Sequence, residues 1–387
     1  MKVLSIGPDK DLLTPGSVSF GRHVRYAQQL EELHAVVFAR EKYGKARVNI
    51  APNAWSYPTG SKSVLGLFLD AYRIGRTILR EPGQWVISAQ DPFESGLVAY
   101  VLSRATGVPL LIQEHGDFFS TNHWRRESLA NRVRYWVGRF LIHRATHLRV
   151  VDERIKRTLM RLGIPEGRIS VAPVFTDVTL FENARPDPAI QALRPPGGVL
   201  ILTMARFVPQ KDLSLMIRAF GLLVKQGIAA RLVIIGRGPE VHTLKRLASH
   251  VAPESITFLE WTDDPASAIK AVDIYALSSV YEGWGRVCIE TLAAGVPLIM
   301  TDVGCANSVV RNGENGIVVP IGDVARFAAG LHILVSDATL RARLSQAGLA
   351  TLRTLPTIKE SIASYIHTLT SCLPNNTLRS RTDAAQK

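Results

Sequence analysis

Two carboxylates eight residues apart, Glu282 and Glu290, lie in the segment YEGWGRVCIETLAAGVPLIMTDVG. Gly283 and Gly285 separate them, and an apolar run without turn residues, Val287 to Ala294, begins just after. This order predicts a helix that opens at the glycines. There, unpaired N–H groups and the positive end of the helix dipole favour an anion such as a diphosphate. Glu290 falls about one turn inside, where it can accept hydrogen bonds from sugar hydroxyls, while Glu282 sits in the entering loop at the ligand's other end. Either acid alone is most simply an exposed charge favouring a helix start. With the glycines and the strand VPLIMT, the pair reads as a clamp for a sugar nucleotide.

Arg206 and Lys211, five residues apart around Pro209, come after one predicted strand and before a helix, a place suited to phosphate rather than to an idle solvated loop. Gly236, Arg237 and Gly238 form a fragment of a nucleotide loop that alone would be only a turn. His115 and Asp117 in QEHGDFF follow another predicted strand. Asp9-Lys10-Asp11 spells a DxD pattern without further acids in support and reads as surface charge. Ten histidines show no ligand spacing, and the three cysteines, Cys288, Cys305 and Cys372, suggest neither a disulfide framework nor zinc. No metal and no cofactor are expected.

The elements that must position these residues alternate. KVLSI, AVVFA, WVISA and VPLLIQ are short β-rich runs, separated by amphipathic stretches at Phe20 to Leu33, Val64 to Leu79 and Phe93 to Ala105. THLRVV, a helix from Glu153 to Arg161 and RISVAP continue the rhythm of a parallel sheet. A second series opens with VLILTMA and runs through helices at Leu213 to Lys225 and Glu240 to His250, with ARLVIIG, SITFLE, DIYALS and VPLIMT as strands. The expected domains are residues 1–184 and 198–357, joined by a Pro-rich linker at 185–197. A helix at 358–372 is expected to cross back to the first domain, followed by a loose polar tail at 373–387. The fold class is α/β, two doubly wound, Rossmann-like domains facing an interdomain cleft, with ligands beyond the carboxyl ends of the strands.

With 387 residues and 47% hydrophobic content the chain is long enough for two such cores. The first residues lack a secretory pattern and no apolar stretch is long enough for a membrane span, so a cytoplasmic location is expected. The net charge of +13 is uneven: residues 121–161 carry eleven Arg or Lys against three acids, a net +8. Such a region suits a peripheral contact with anionic membrane or a polyanionic acceptor. In the same region Leu129, Val133, Trp136, Val137, Phe140 and Leu141 form one helical stripe, expected to be a core helix packed on the sheet in preference to one entering a membrane.

The segment Glu282 to Asp302, with ARFVPQKDLSLMIRAF and VIIGRGPE before it, closely resembles the retaining glycosyltransferases of family 4, glycosyl transferases group 1, which have the GT-B fold. QDPFESGLVAYVLSRATGVPLLIQEHGD and RVVDERIKRTLMRLGIPEGRISVAPVFTD resemble that family's acceptor-side domain more loosely. The resemblance implies that Glu290 binds ribose hydroxyls and Glu282 the donor sugar, with Gly283, Gly285, Arg286 and Val287 lining the diphosphate. It implies that Arg206 and Lys211 neutralise the departing diphosphate and that His115 reaches the donor sugar. Gly236, Gly238, Trp261 and Thr262 would hold the base, and Gly16 and Asp117 would serve the acceptor side. The chain departs from the family where Glu260 replaces a usual glycine and where a common NGVD segment reads VFTD, ending at Asp177.

The expected function is therefore metal-independent, retaining transfer of a sugar from a nucleoside diphosphate to a hydroxyl of a glycan or lipid-linked glycan in surface polysaccharide or glycolipid assembly. A sugar-nucleotide epimerase needs much the same nucleotide site, and a basic polyanion-binding protein could be built on the same fold. No aromatic RNA-binding pair or DNA-reading motif is present, so nucleic acid is not an expected partner.

Overall fold

The computed structural model describes residues 1–120 and 122–374; most of the expected polar tail lies outside the described residues. The chain forms two compact units, Met1–Pro173 with the returning segment from Thr357, and Val174–Pro356.

The first unit is built on eight strands: β1 Lys2–Gly7, β2 Glu32–Val37, β3 Val48–Ala51, β4 Ala54–Pro58, β5 Trp85–Ala89, β6 Leu110–Glu114, β7 His147–Val150 and β8 Ile169–Val171. Their order is β3-β4-β2-β1-β5-β6-β7-β8, all neighbours parallel except the antiparallel pair β3 and β4. Every residue of β1, β5 and β6 is buried, as a parallel sheet covered on both faces requires. Alternate residues separate the faces. Val3, Val86 and Leu111 pack with Tyr26 of helix Val18–Ala27 and with Tyr365 and Leu369 of helix Ile358–Thr370. Leu4 faces the other layer, close to Gly75 of helix Val64–Ile78, which in turn packs on helix Glu94–Thr106 through Leu102.

The first helix ends at Ala27 rather than continuing to Leu33, because the Asn53 side-chain amide donates to the carbonyls of Ala27, Leu30 and Glu31 and closes its C-terminus. The hairpin β3–β4 lies between AVVFA and the helix from Val64, where the sequence predicts no element.

The second unit has β9 Val199–Arg206, β10 Ala230–Arg237, β11 Ile256–Leu259, β12 Ile274–Leu277, β13 Leu298–Thr301 and β14 Ile317–Val319, in the order β11-β10-β9-β12-β13-β14 and parallel throughout. The chain winds outward from β9 to β11, then restarts at β12 on the other side of β9. Ligands of such sheets bind at that reversal.

The Pro-rich stretch 185–197 is not a linker here. The division falls at Pro173/Val174, and residues after it are fastened to the second unit. Phe181 and Ile190 are buried in the core with Ile269 and Leu292. Asp187 caps the short helix Pro188–Gln191 and its N–H donates to the Ser267 carbonyl, while Arg194 is ion-paired to Asp273. Proline at the first position of a helix supports that helix, so composition alone misidentified the segment. The helix from Ile358 begins with a reciprocal cap between Thr357 and Glu360 and belongs to the first unit. Its Tyr365 packs against Tyr26, ring centroids 4.4 Å apart and planes tilted by 34°, and lies under the Arg149 guanidinium at 4.9 Å.

Candidate functional site

In the second unit the loops at the carboxyl ends of β9 and β12 meet beside the strand-order reversal. β9 ends at Arg206, and a turn through Pro209 carries Lys211 to the start of helix Leu213–Lys225. The Lys211 ammonium is ion-paired to Glu282, and the Ser279 hydroxyl donates to the same carboxylate oxygen at 2.7 Å. Backbone contacts fix the two loops in register: Val280 N–H donates to the Gln210 carbonyl, the Gln210 side-chain amide to the Tyr281 carbonyl, and the Ser278 hydroxyl to the Lys211 carbonyl. Arg206 is exposed and has no ion-pair partner among the described residues.

Beyond Glu282 the chain passes Gly283 to Gly285, which has φ of 73° and opens helix Arg286–Ala293. A non-glycine residue rarely adopts that backbone conformation. Its N-cap is a glycine that offers no side-chain cap, so among the described residues no capping side chain takes up its first N–H groups. Glu290 lies one turn in, its side chain 14% exposed, and accepts from Arg286 at 3.2 Å. Burial raises the Glu290 pKa above its ordinary value, and Arg286 opposes that rise. Val287 is half-buried in the same first turn.

Gly236 and Gly238 close the β10 end, both at φ near 155°, with values of 154° and 156°. A Cβ on Gly236 would collide with the Ala205 carbonyl oxygen and one on Gly238 with the Phe207 backbone, so the two strand ends can approach only because these residues are glycine. That approach makes Arg237 the direct cross-strand neighbour of Arg206. The sequence places Arg237 in a fragment of a nucleotide loop without assigning its charge a role; register is what doubles the cationic charge at this edge. Trp261, 46% exposed, and Thr262 follow β11, two strands from β9. The Thr262 hydroxyl accepts from the Asp264 N–H.

The remaining predicted residues belong to the first unit. His115 follows β6, and its Nε2 is 3.2 Å from Gln90 Oε1; Gln90 in turn donates to the Ser5 hydroxyl across the reversal between β1 and β5. Because the Gln90 amide nitrogen is committed to Ser5, its oxygen faces the imidazole, which assigns the proton to Nε2 and leaves Nδ1 as an acceptor. Burial, reinforced by Arg149 and Arg22, lowers the His115 pKa to about 3, so the ring is neutral at neutral pH. Asp117 is buried and accepts from the Ser120 N–H, with its pKa raised by burial. Gly16 lies in an exposed turn, φ 86°, before the Ser17 cap of the first helix. Asp9 spends its carboxylate on the Asp11 N–H, capping a short helical turn.

Glu114, beside His115, was not singled out from the sequence. It is 2% exposed, neither carboxylate oxygen has a well-formed hydrogen bond among the described residues, and burial next to Asp117 raises its pKa well above its ordinary value, with the Phe118 N–H opposing that rise. It is the last residue of the strand LLIQE, between Gln113 and His115, where one more polar residue carries no periodic signal.

Comparisons with known proteins bear on the family and the fold. Residues 189–351 match the family "Glycosyl transferases group 1", and residues 21–174 match "Glycosyl transferase 4-like domain". The lipopolysaccharide core biosynthesis glycosyltransferase LpsE of Rhizobium meliloti is 33% identical over 41% of this chain, which spans 46% of that relative's length. The alpha-D-kanosaminyltransferase of Streptomyces kanamyceticus is 26% identical over 73% of this chain and 75% of its own length. The crystal structure of Anabaena HepE in complex with UDP-glucose superposes with a TM-score of 0.76 at 19% identity, covering 96% of this chain and 100% of that one. With two wound parallel sheets, matching profiles over both units and the GT-B architecture of its structural neighbours, the chain belongs to the glycosyl transferases group 1, with a glycosyl transferase 4-like first domain.

Proposed function

We propose that this chain transfers a sugar from a nucleoside-diphosphate sugar to a hydroxyl of a glycan or lipid-linked glycan, with retention of anomeric configuration and without a metal. The observation that carries this reading is the Lys211–Glu282 pair set beside the uncapped N-terminus of Arg286–Ala293. Both features lie in one unit and next to one strand-order reversal, the usual place for a nucleotide on such a sheet.

The demanding step is departure of the nucleoside diphosphate, as negative charge grows on the leaving oxygen and the sugar becomes cation-like. Arg206 and the helix N–H groups carry the opposite charge already oriented, which lowers the barrier without reorganisation. Lys211 holds Glu282 in place and adds positive potential. Glu282 accepts hydroxyls of the donor sugar and Glu290 those of the ribose. Gly236, Gly238, Trp261 and Thr262 take the base. In the first unit, neutral His115 offers Nδ1 as an acceptor for a sugar hydroxyl, and Gly16 and Asp117 line the acceptor side. Support for a polysaccharide or glycolipid product comes from relatives named for such pathways, LpsE and the capsular polysaccharide biosynthesis glycosyltransferase CapM of Staphylococcus aureus.

The test is a binding screen of UDP, GDP and ADP by thermal shift, followed by turnover of the corresponding sugar nucleotides with and without EDTA. A ligand-dependent rise in Tm, release of nucleoside diphosphate unaffected by EDTA, and an α-linked product from an α-linked donor are expected. Isomerised sugar nucleotide with donor alone would replace this reading with an epimerase, and no binding of any nucleotide would remove it.

A further inference from the structure

Helix Leu129–Arg144 meets the expected packing only in part: of its predicted stripe, Leu141 is buried and Val137 half-buried, while the other four side chains face outward. Leu129, Val133, Trp136 and Phe140 recur on one face and are 75, 64, 64 and 47% exposed. The inward face is made by Asn131, Gly138, Leu141 and Ile142; Gly138 lets Phe93 and Phe119 approach closely enough that a Cβ would sit 2.9–3.0 Å from their rings.

The stripe continues sideways. Helix Glu94–Thr106, packed beside it, exposes Leu97 and Val101, and helix Val64–Ile78, packed on that one, exposes Leu65 and Leu69. Each pair is spaced i, i+4 and therefore shares a face. Nine of the seventeen large apolar side chains exposed among the described residues lie on these three adjacent helices, so the patch is not the ordinary scatter of single exposed apolar residues.

Its rim is cationic. Arg104, Arg126, Arg132 and Arg144 are exposed, and Arg144 lies 4.9 Å from the centre of the Phe140 ring. The neighbouring acids are engaged: Glu94 with Arg134 at 2.6 Å and Glu127 with the Asn131 side chain. No helix among the described residues is long and apolar enough to cross a membrane.

We propose that this face docks on an anionic lipid bilayer, with Trp136 and Phe140 at headgroup depth and the arginines on lipid phosphates. Aromatic and aliphatic side chains on one face with a basic rim are what an interfacial helix needs. A two-fold contact between copies would bring the same patch, with its arginines, against itself, a like-charge apposition that disfavours self-association. This inference stands apart from the donor site and extends the sugar-transfer reading to where the enzyme works.

The full chain should float with phosphatidylcholine vesicles only when phosphatidylglycerol is added. Trp136→Asp with Phe140→Asp should lower the bound fraction by about tenfold or more while Tm and nucleotide affinity stay unchanged, since both side chains are exposed. Brominated lipid should quench tryptophan fluorescence in the native chain and not in Trp136→Phe. Failure to float, flotation undiminished in the double variant, or absence of quenching each overturns the proposal. So does a native dimer by light scattering that the double variant converts to monomer, which would assign the patch to a second copy.

Discussion

The ammonium of Lys211 and the carboxylate of Glu282 are paired across the two loops that flank the reversal in strand order, at side-chain exposures of 17% and 13%. Ser279 supports the carboxylate, and Lys211 is its only basic partner among the described residues. Arg206, five residues earlier, is exposed and unpaired among the described residues. These two cations, which look equivalent in the sequence, are therefore expected to behave differently when removed.

Lys211→Ala leaves a nearly buried carboxylate without its partner and should cost about 1–3 kcal/mol, a Tm loss of about 2–4 °C per kcal/mol for a unit of this size. The double variant Lys211→Ala/Glu282→Ala should recover part of that loss in a double-mutant cycle. Additive losses would show that the ion pair does not couple the loops.

Arg206→Ala should leave Tm within about 1 °C, as expected of an exposed side chain, yet lower donor turnover by about 10²–10³, the usual effect of removing one charge-stabilising group from a transition state. Near-native turnover with saturating donor would show that the leaving diphosphate is neutralised elsewhere.

Glu290 should give donor binding a pH dependence. Its folded pKa is raised, so as pH falls it takes up a proton earlier than an ordinary carboxylate and stops accepting hydrogen bonds from hydroxyls in its charged form. Donor KM should climb as pH drops toward the acid side. Glu290→Gln should raise KM at neutral pH by about tenfold to a hundredfold, matching loss of a charged hydrogen bond, and should flatten the acid limb. An unchanged acid limb in Glu290→Gln would assign the titration to another group.

Glu114 should destabilise the fold as pH rises. Its folded pKa lies above the unfolded value of 4.5, so between those two values the unfolded chain releases a proton that the folded chain retains, and stability falls. Glu114→Gln removes that penalty: its Tm should exceed that of the native chain at pH 7.5 and converge with it below pH of about 4.5. Equal Tm differences at both pH values would show that Glu114 is ionised when folded.

Gly236→Ala should be the most damaging single substitution at the β10 end. The added methyl would strike the Ala205 carbonyl oxygen in a backbone conformation, φ 154°, that alanine disfavours. A Tm loss corresponding to about 2 kcal/mol or more, together with weaker nucleotide binding, is expected in thermal shift. A soluble variant of native Tm would mean that the β9 and β10 ends can part without consequence.

Local rules were enough to read much of this protein. The alternation of fully apolar strands with amphipathic helices specified parallel sheets, and helices Glu153–Arg161 and Leu213–Lys225 appear at the residues where their periodicity placed them. The glycine-led helix start at Gly285, with Glu290 a turn inside, was legible because helix geometry fixes the position of residues so close in sequence.

What stayed hidden depended on partners distant in the chain. Pairing of Lys211 with Glu282, the side-by-side placement of Arg206 and Arg237, and the burial of Glu114 all follow from strand order and register, which periodicity does not encode. The same limit explains the Pro-rich stretch 185–197, which reads as a linker although Ile190 is buried in the second core. It also explains Trp136. A period of 3.6 says that one side of a helix is apolar, while only the fold decides whether that side meets the sheet or the solvent.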